Sequence, residues 1–308
     1  MVDELKDKVA IVTGSGRGIG RSVAKLMAEE GAKVVVVDPG VNVDGSGFDQ
    51  SIAEVVASEI QAAGGTAVAC TESVATMAGG EKIVQTAVDR FGKLDIVVTC
   101  AGILRDRMIF NMSEAEWDDV IAVHLKGTFT VVKNASILFR QQRSGRIITF
   151  SSQSGLVGNS GQANYGAAKS GIAGFTKVVG RDLGRYGVTV NSIAPRANTR
   201  MIGNIPDSAA ELRARGGVTS LSEGNDLKEL DPEGIAPFVC YLASDHAANI
   251  NAQVFLVYGN SVSLMSSPWA DRAIYEPSGR WTLEALAPLA RDVLTKGIYN
   301  PAPAASQK

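Results

Sequence analysis

Apolar residues recur along this chain in short runs separated by amphipathic stretches, from one end almost to the other. Val9-Ala10-Ile11-Val12, Val34-Val35-Val36-Val37 and Ile147-Ile148-Thr149-Phe150 are too short for helices and rich in β-branched residues, the pattern of strands buried on both faces. Strands are predicted near 8–13, 33–38, 66–70, 94–99, 146–151, 188–194 and 253–257, with helices between them. Such alternation implies an α/β fold: one doubly wound parallel sheet of about seven strands with helices on both faces.

Three segments break the rhythm. Residues 39–50 form a glycine-rich insertion after the second strand, and residues 201–231 are long and polar. Residues 261–308 extend beyond the last strand, so the expected organisation is a domain over 1–260 plus a C-terminal extension. Within the extension a helical pattern opens at Trp281 with Leu283, Leu286, Leu289 and Val293 on one side, and Pro288 is expected to break or restart it. We expect the extension to pack on the same domain or on a neighbouring subunit, and 301–306 to be disordered.

Composition narrows the function without choosing it. With 45% hydrophobic residues and a net charge of −2 over 308 residues, there is no electrostatic case for nucleic acid or anionic lipid. No apolar run approaches the ~20 residues of a membrane span. The opening Met1-Val2-Asp3-Glu4-Leu5-Lys6 does not resemble a signal peptide, so a cytoplasmic location is expected. Cys70, Cys100 and Cys240 are odd in number and far apart, which argues for buried reduced thiols and against a disulfide or metal site.

Chemistry enters at the first turn. The run Thr13-Gly14-Ser15-Gly16-Arg17-Gly18-Ile19-Gly20 joins a strand to a helix start, where backbone N–H groups face an anion and glycines let the chain approach it. It reads Thr-Gly-x-x-x-Gly-x-Gly, not the dinucleotide fingerprint Gly-x-Gly-x-x-Gly, because Ile19 stands at the sixth position counted from Gly14. The second strand then ends in Asp38, whose carboxylate would accept from ribose hydroxyls and repel a 2′-phosphate. NAD is therefore expected over NADP, although Arg17 in the turn pulls the other way. This makes the domain Rossmann-type.

Tyr165 and Lys169 lie four apart, on one face of a helix, and an ammonium beside a phenol favours the phenolate. Tyr165 is thus a candidate general acid/base. Ser152 follows the apolar run ending at Phe150, placing a hydroxyl at a strand tip where it can hold a substrate oxygen. A Tyr–Lys pair at this spacing also occurs on ordinary helix surfaces; its weight comes from the glycine turn and Asp38.

In this order and spacing the three features resemble the short-chain dehydrogenase/reductase family over about residues 5–260. The subgroup most like this chain is the dehydrogenase domain of peroxisomal multifunctional enzymes of type 2 (17β-hydroxysteroid dehydrogenase type 4) and their bacterial relatives. Supporting stretches are Ala101-Gly102-Ile103-Leu104-Arg105-Asp106-Arg107, Gly158-Asn159-Ser160-Gly161-Gln162-Ala163-Asn164-Tyr165 and Ala194-Pro195-Arg196-Ala197-Asn198-Thr199-Arg200-Met201.

The resemblance implies catalytic Ser152, Tyr165 and Lys169, with His124 where the wider family often has an asparagine. It implies cofactor contacts from Gly14, Ser15, Arg17, Gly18, Ile19, Gly20, Asp38, Glu72, Ser73, Val74, Cys100, Ala101, Gly102, Tyr165, Lys169, Pro195 and Thr199. It also makes 201–231 a substrate lid. Arg213, Arg215 and Lys228 in that lid could meet the phosphates of coenzyme A, whereas charged lid residues are usually just solvated. The chain departs from the wider family at Thr99-Cys100-Ala101-Gly102, in place of Asn-Asn-Ala-Gly, and at Pro195-Arg196, in place of Pro-Gly.

The implied activity is NAD-dependent interconversion of a secondary alcohol and a ketone. The substrate would be a (3R)-hydroxyacyl-CoA or a 17β-hydroxysteroid-like cyclic alcohol, and the protein a homodimer or homotetramer. Alternatives are an NADPH-dependent 3-ketoacyl reductase, which Asp38 disfavours, and a non-catalytic dinucleotide sensor, which an intact Ser152, Tyr165 and Lys169 disfavour. No metal is implied.

Overall fold

The computed structural model describes residues 3–197, 230–298 and 301. Eight strands form one sheet in the order β3-β2-β1-β4-β5-β6-β7-β8. They are β1 (Val9–Thr13), β2 (Lys33–Val37), β3 (Thr66–Cys70), β4 (Ile96–Thr99), β5 (Gly145–Phe150), β6 (Val188–Arg196), β7 (Val254–Tyr258) and β8 (Ser261–Leu264). The first seven pair in parallel and match the predicted positions. The eighth, which the sequence reading lacks, pairs antiparallel with β7.

The central strands are mostly apolar because each feeds two cores. Successive side chains of a strand point to opposite faces. Ala10, Val12, Val34 and Val36 join one core, packed by α1 (Gly18–Glu29), α2 (Ser51–Ala62) and α8 (Ala236–Ala243). Val9, Ile11, Val35 and Val37 join the other, packed by α3 (Met77–Phe91), α5 (Gly127–Gln142) and α7 (Ala163–Gly184). The remaining helices are α4 (Glu114–Ile121), α6 (Gln153–Leu156) and α9 (Leu283–Leu289).

The chain runs outward from β1 to β3, then crosses to β4 on the other side of β1. Open sheets of this kind bind ligands outside the carboxyl ends of the strands at that reversal. Two capped helices shape the mouth there. Thr76 caps α3 by accepting from Gly79 N, and Ser113 and Glu116 form a capping box at α4. Among the described residues no helix is long and apolar enough to cross a membrane.

The extension departs from one expectation. Pro288 does not break the helix; α9 runs through it, and a π-helical turn at Ala290–Leu294 follows directly. Capping by Thr282 and the widened turn accommodate a residue that lacks an N–H. Leu283, Leu289 and Val293 are exposed, so the predicted apolar side is not buried on this chain.

Candidate functional site

The carboxyl ends of β1, β2, β4, β5 and β6 surround a cavity of about 850 Å³. Its first wall is backbone. Gly14 has φ +66, and a Cβ there would come within 2.7 Å of Ala101 Cα; one on Gly20 would come within 2.2 Å of the Gly14 oxygen. A side chain on Gly16 would meet Ile52 and the Asp38 carboxylate at 2.3 and 2.8 Å. These glycines let strand, turn and helix start close on one another, leaving the free N–H groups of α1 facing the cavity. A dinucleotide pyrophosphate fits that cradle. Gly18, Ile19, Glu72, Ser73, Val74, Ala101, Gly102 and Pro195 also line the cavity.

Asp38 ends this wall. It is buried, and its Oδ2 accepts from Gly16 N at 2.9 Å while Oδ1 accepts from Gly40 N at 2.7 Å. Two backbone donors thus hold the carboxylate at the position expected of a ribose reader. Arg17 lines the cavity, but its Nη1 donates to the Val41 oxygen at 3.3 Å, pinning the 39–50 insertion. The insertion also reaches across the mouth, where Leu104 N donates to the Val43 oxygen at 2.8 Å.

Ser15 does not join the cofactor wall as expected. Its hydroxyl donates to the Val12 oxygen and accepts from Val37 N, and its own N–H donates to the Val37 oxygen, so it ties β1 to β2. Thr199 and most of the expected lid, including Arg213, Arg215 and Lys228, lie outside the described residues.

The opposite wall is made of side chains. Ser152 caps α6 with its hydroxyl accepting from Ser154 N, and hydrogen-bonds the Tyr165 phenol. Lys169 is buried one turn along α7; its Nζ donates to the Phe150 oxygen at 2.7 Å and lies 5.5 Å from the Tyr165 ring centroid. Ser151 ties the end of β5 to α7 by donating to the Lys169 oxygen. The three expected catalytic residues therefore share one cavity wall.

Their electrostatics differ from the sequence expectation. Burial dominates, pushing the Tyr165 phenol up to about 12, with the Ser152 hydrogen bond pulling it back and Asp106 and Cys100 pushing it further up. Burial also lowers Lys169 to about 8. Lys169, whose ammonium donates to the Phe150 carbonyl, does not outweigh that burial in the chain without cofactor or substrate. At neutral pH the phenol keeps its proton.

His124 occupies a π-helical turn, Ala122–Lys126, that joins α4 to α5. Such turns recur at functional sites. With the proton on Nε2, the ring donates to the Ile103 oxygen at 2.8 Å, and Nδ1 has no hydrogen-bond partner among the described residues. A Cβ on Gly102 would sit 2.3 Å from the ring, so Gly102 is what admits the histidine. The ring meets Tyr165 edge-on with centroids 5.1 Å apart, and burial lowers its pKa to about 3, keeping it neutral.

The short chain dehydrogenase family model matches residues 8–209. The chain belongs to that family. Its relatives include the hydroxyacyl-CoA dehydrogenase ChsB1 of Mycobacterium tuberculosis, 40% identical over 297 residues that cover 94% of this chain and 89% of that protein. Peroxisomal multifunctional enzyme type 2 of Drosophila melanogaster is 44% identical over 77% of this chain, which spans only 37% of that protein. A crystal structure of a short chain dehydrogenase from Mycobacterium avium superposes with a TM-score of 0.79 at 40% identity, covering 96% of this chain and 97% of that one. The chain is thus a short-chain dehydrogenase/reductase, an oxidoreductase acting on CH–OH groups.

Several residues in or beside the cavity of this dehydrogenase escaped the sequence reading as site residues. Gln162, three before Tyr165, donates to Asp106 Oδ2 at 2.9 Å and accepts from Asn159 Nδ2 at 2.9 Å. Asn164, fully buried, donates to the Arg105 and Glu116 oxygens and so locks α7 against the segment after β4. Arg105 pairs with Asp119 at the mouth. The signal was present, since these residues sit in the stretches that carried the resemblance; what was missing was their three-dimensional pairing. Cys70 and Cys240 are buried as expected, whereas Cys100 is half-buried, lines the cavity, and has its thiol pushed up to about 12 by burial.

Proposed function

We propose that the chain oxidises a secondary alcohol to a ketone, or reverses that step, with NAD as cofactor. The proposed substrate is a (3R)-hydroxyacyl-CoA, with a 17β-hydroxysteroid-like cyclic alcohol as the second reading. The observation that carries the proposal is the facing of two walls across one cavity: a glycine cradle ending in Asp38, and Ser152, Tyr165 and Lys169. The cradle would hold the pyrophosphate and Asp38 the adenosine ribose hydroxyls; Arg17, which donates to the Val41 oxygen, still lines the cavity and pulls toward a 2′-phosphate.

Nicotinamide, when bound, supplies the hydride acceptor or donor. The chain's own groups handle the proton and the oxygen. Ser152 orients the substrate oxygen toward the phenol. Tyr165 donates its proton to a ketone oxygen in reduction; in oxidation it must first release that proton to solvent, a loss that the buried ammonium of Lys169 favours, and then takes the hydroxyl proton. His124 stays neutral and holds Ile103, keeping the segment after β4 in place.

Val43, Leu104, Ala122 and Val123 line the cavity, the surface an acyl chain or a ring system needs. The acyl-CoA reading is supported by the name of the Mycobacterium tuberculosis relative. An intact Tyr165–Lys169 pair favours an enzyme over a dinucleotide sensor, and Asp38 favours NAD over the NADPH of a 3-ketoacyl reductase. We further propose a homodimer or homotetramer, because Trp117, Phe129, Ile137 and Val178 leave apolar side chains exposed on α4, α5 and α7.

Initial rates with (3R)- and (3S)-hydroxyacyl-CoAs of several lengths, a 17β-hydroxysteroid and simple cyclic alcohols, each with NAD and NADP, test the proposal. NAD-dependent turnover selective for the (3R) thioesters is expected. Turnover of ring alcohols alone moves the assignment to the second reading, and a preference for NADP removes the role given to Asp38.

A further inference from the structure

We propose that Arg196 binds an anionic oxygen group, a carboxylate or a phosphate, on the part of the substrate that does not react. The inference rests on the alcohol–ketone reading above and narrows its substrate to one that carries such a group. Arg196 stands where the wider family has the glycine of Pro-Gly, so a long cationic side chain leaves the end of β6 at that point.

Strand alternation decides which way that side chain faces. Val188 and Val190 of β6 join the core packed by α3, α5 and α7, and Ile193 joins the core on the other face. The register against β7 is unbroken from Ser192 to Arg196. Arg196 therefore faces the α7 side of the sheet, the side that carries Tyr165 and Lys169. It also lines the cavity. The glycine cradle instead opens into α1, which packs the opposite face. Arg196 thus sits with the reacting groups and not with the pyrophosphate.

Its charge is the one the cavity leaves unanswered. Four cationic side chains line the cavity: Arg17, Arg105, Lys169 and Arg196. Arg17 donates to the Val41 oxygen, Lys169 to the Phe150 oxygen, and Arg105 pairs with Asp119. Among the described residues Arg196 pairs with no carboxylate and donates to no carbonyl. Its guanidinium lies over the ring of Tyr258, its partner in β7, with Cζ 5.5 Å from the ring centroid. That contact uses the face of the guanidinium and leaves the N–H donors in its plane for a ligand. A flat fork of donors matches the paired oxygens of a carboxylate or phosphate better than a lone hydroxyl. Coenzyme A phosphates, or a ring alcohol bearing a carboxylate, offer that group. A neutral hydroxysteroid does not.

Two matched pairs of alcohols test this in the full chain with NAD. One pair is a (3R)-hydroxyacyl-CoA and the same acyl group on N-acetylcysteamine, which lacks the phosphates. The other is a hydroxycyclohexane carboxylate and its methyl ester. Arg196→Gln should raise KM for the anionic member of at least one pair about tenfold or more, with a smaller change in kcat. The neutral member should shift less than about threefold. A loss confined to the thioester pair makes the anion a phosphate, and one confined to the ring pair makes it a carboxylate. An equal effect on both members of each pair, no effect, or a loss of NAD affinity alone overturns the inference. If the unmodified chain oxidises none of the four, the proposed function fails and binding decides instead. Coenzyme A and the carboxylate are then titrated by calorimetry into the NAD-saturated chain. Binding of either that Arg196→Gln weakens about tenfold upholds the inference; binding of neither, or binding the variant leaves unchanged, overturns it. If Arg196→Gln does not fold, the unmodified chain decides. Its preference for the anionic member, in turnover or in binding, should shrink at least threefold between about 50 and about 500 mM salt. A constant preference, or none, overturns the inference.

Discussion

The two walls of the cavity are built from different materials. The cofactor wall is backbone shaped by absent side chains: Gly14, Gly16 and Gly20 each occupy a place where a Cβ would collide. The opposite wall is polar side chains, half-buried Ser152 and Tyr165 with buried Lys169 and His124, and withdrawal from water sets the protonation of the last three. A backbone wall holds a ligand without titrating. A wall of such side chains does chemistry, and its charge state depends on everything packed around it. Affinity and turnover should therefore separate when each wall is altered.

The largest separation should come from Tyr165→Phe. Positioned proton transfer contributes about 10²–10⁴-fold, so kcat should fall at least a hundredfold. The glycine cradle and Asp38 are untouched, and the dissociation constant for NAD, read by quenching of intrinsic fluorescence, should change little. Near-normal turnover would remove Tyr165 from the chemistry. A large loss of NAD affinity would mean that the two walls are not independent.

The contrast also explains what was legible in the sequence. Strands β1 to β7 were readable because a strand buried on both faces is mostly apolar along its length. β8 was not: Ser261-Val262-Ser263-Leu264 is short, mixed and exposed, with no burial signal to find. The glycine turn and the Ser152, Tyr165 and Lys169 spacing were readable because sterics and helix periodicity are local. The protonation of Tyr165 was not, because it depends on desolvation and on Asp106 and Cys100, which lie far from it in the chain. Ser15 looked like part of the turn's ligand surface, and only the register of β1 against β2 shows that its hydroxyl is spent between them. The π-helical turn at His124 leaves no periodic trace, since α4 and α5 continue on either side of it.

A second variant tests whether burial governs the side-chain wall. The folded chain holds His124 near 3, against 6.5 for the free side chain. Between those values the unfolded chain binds a proton that the folded chain does not, so this residue makes stability fall as pH drops below about 6.5. The slope approaches about 1.4 kcal/mol per pH unit and flattens below about pH 3. His124→Asn, which cannot take up that proton, should flatten the dependence of the denaturation midpoint on pH between 6.5 and 5, whatever it does at neutral pH. An unchanged slope would mean that His124 is not withdrawn from water as the fold places it.

The smallest effect should come from the one acidic side chain that finishes the backbone wall. Asp38 takes no part in proton transfer, so Asp38→Ala should leave kcat with NAD and saturating substrate within a few-fold of its normal value. What it should change is selection. Removing the carboxylate loses the acceptor for the ribose hydroxyls and frees the Gly16 and Gly40 N–H groups it now engages. Two unpaired backbone donors at that point suit a phosphate better than a hydroxyl pair. The ratio of kcat/KM for NAD over NADP should therefore fall about tenfold or more, equivalent to about 1.4 kcal/mol, through a rise for NADP as well as a loss for NAD. A melting temperature measured alongside shows whether the 39–50 insertion, which Asp38 anchors through Gly40, has come loose. If the ratio holds while the fold is intact, the ribose is read elsewhere. If kcat falls as steeply as in Tyr165→Phe, the division between a wall that binds and a wall that reacts fails.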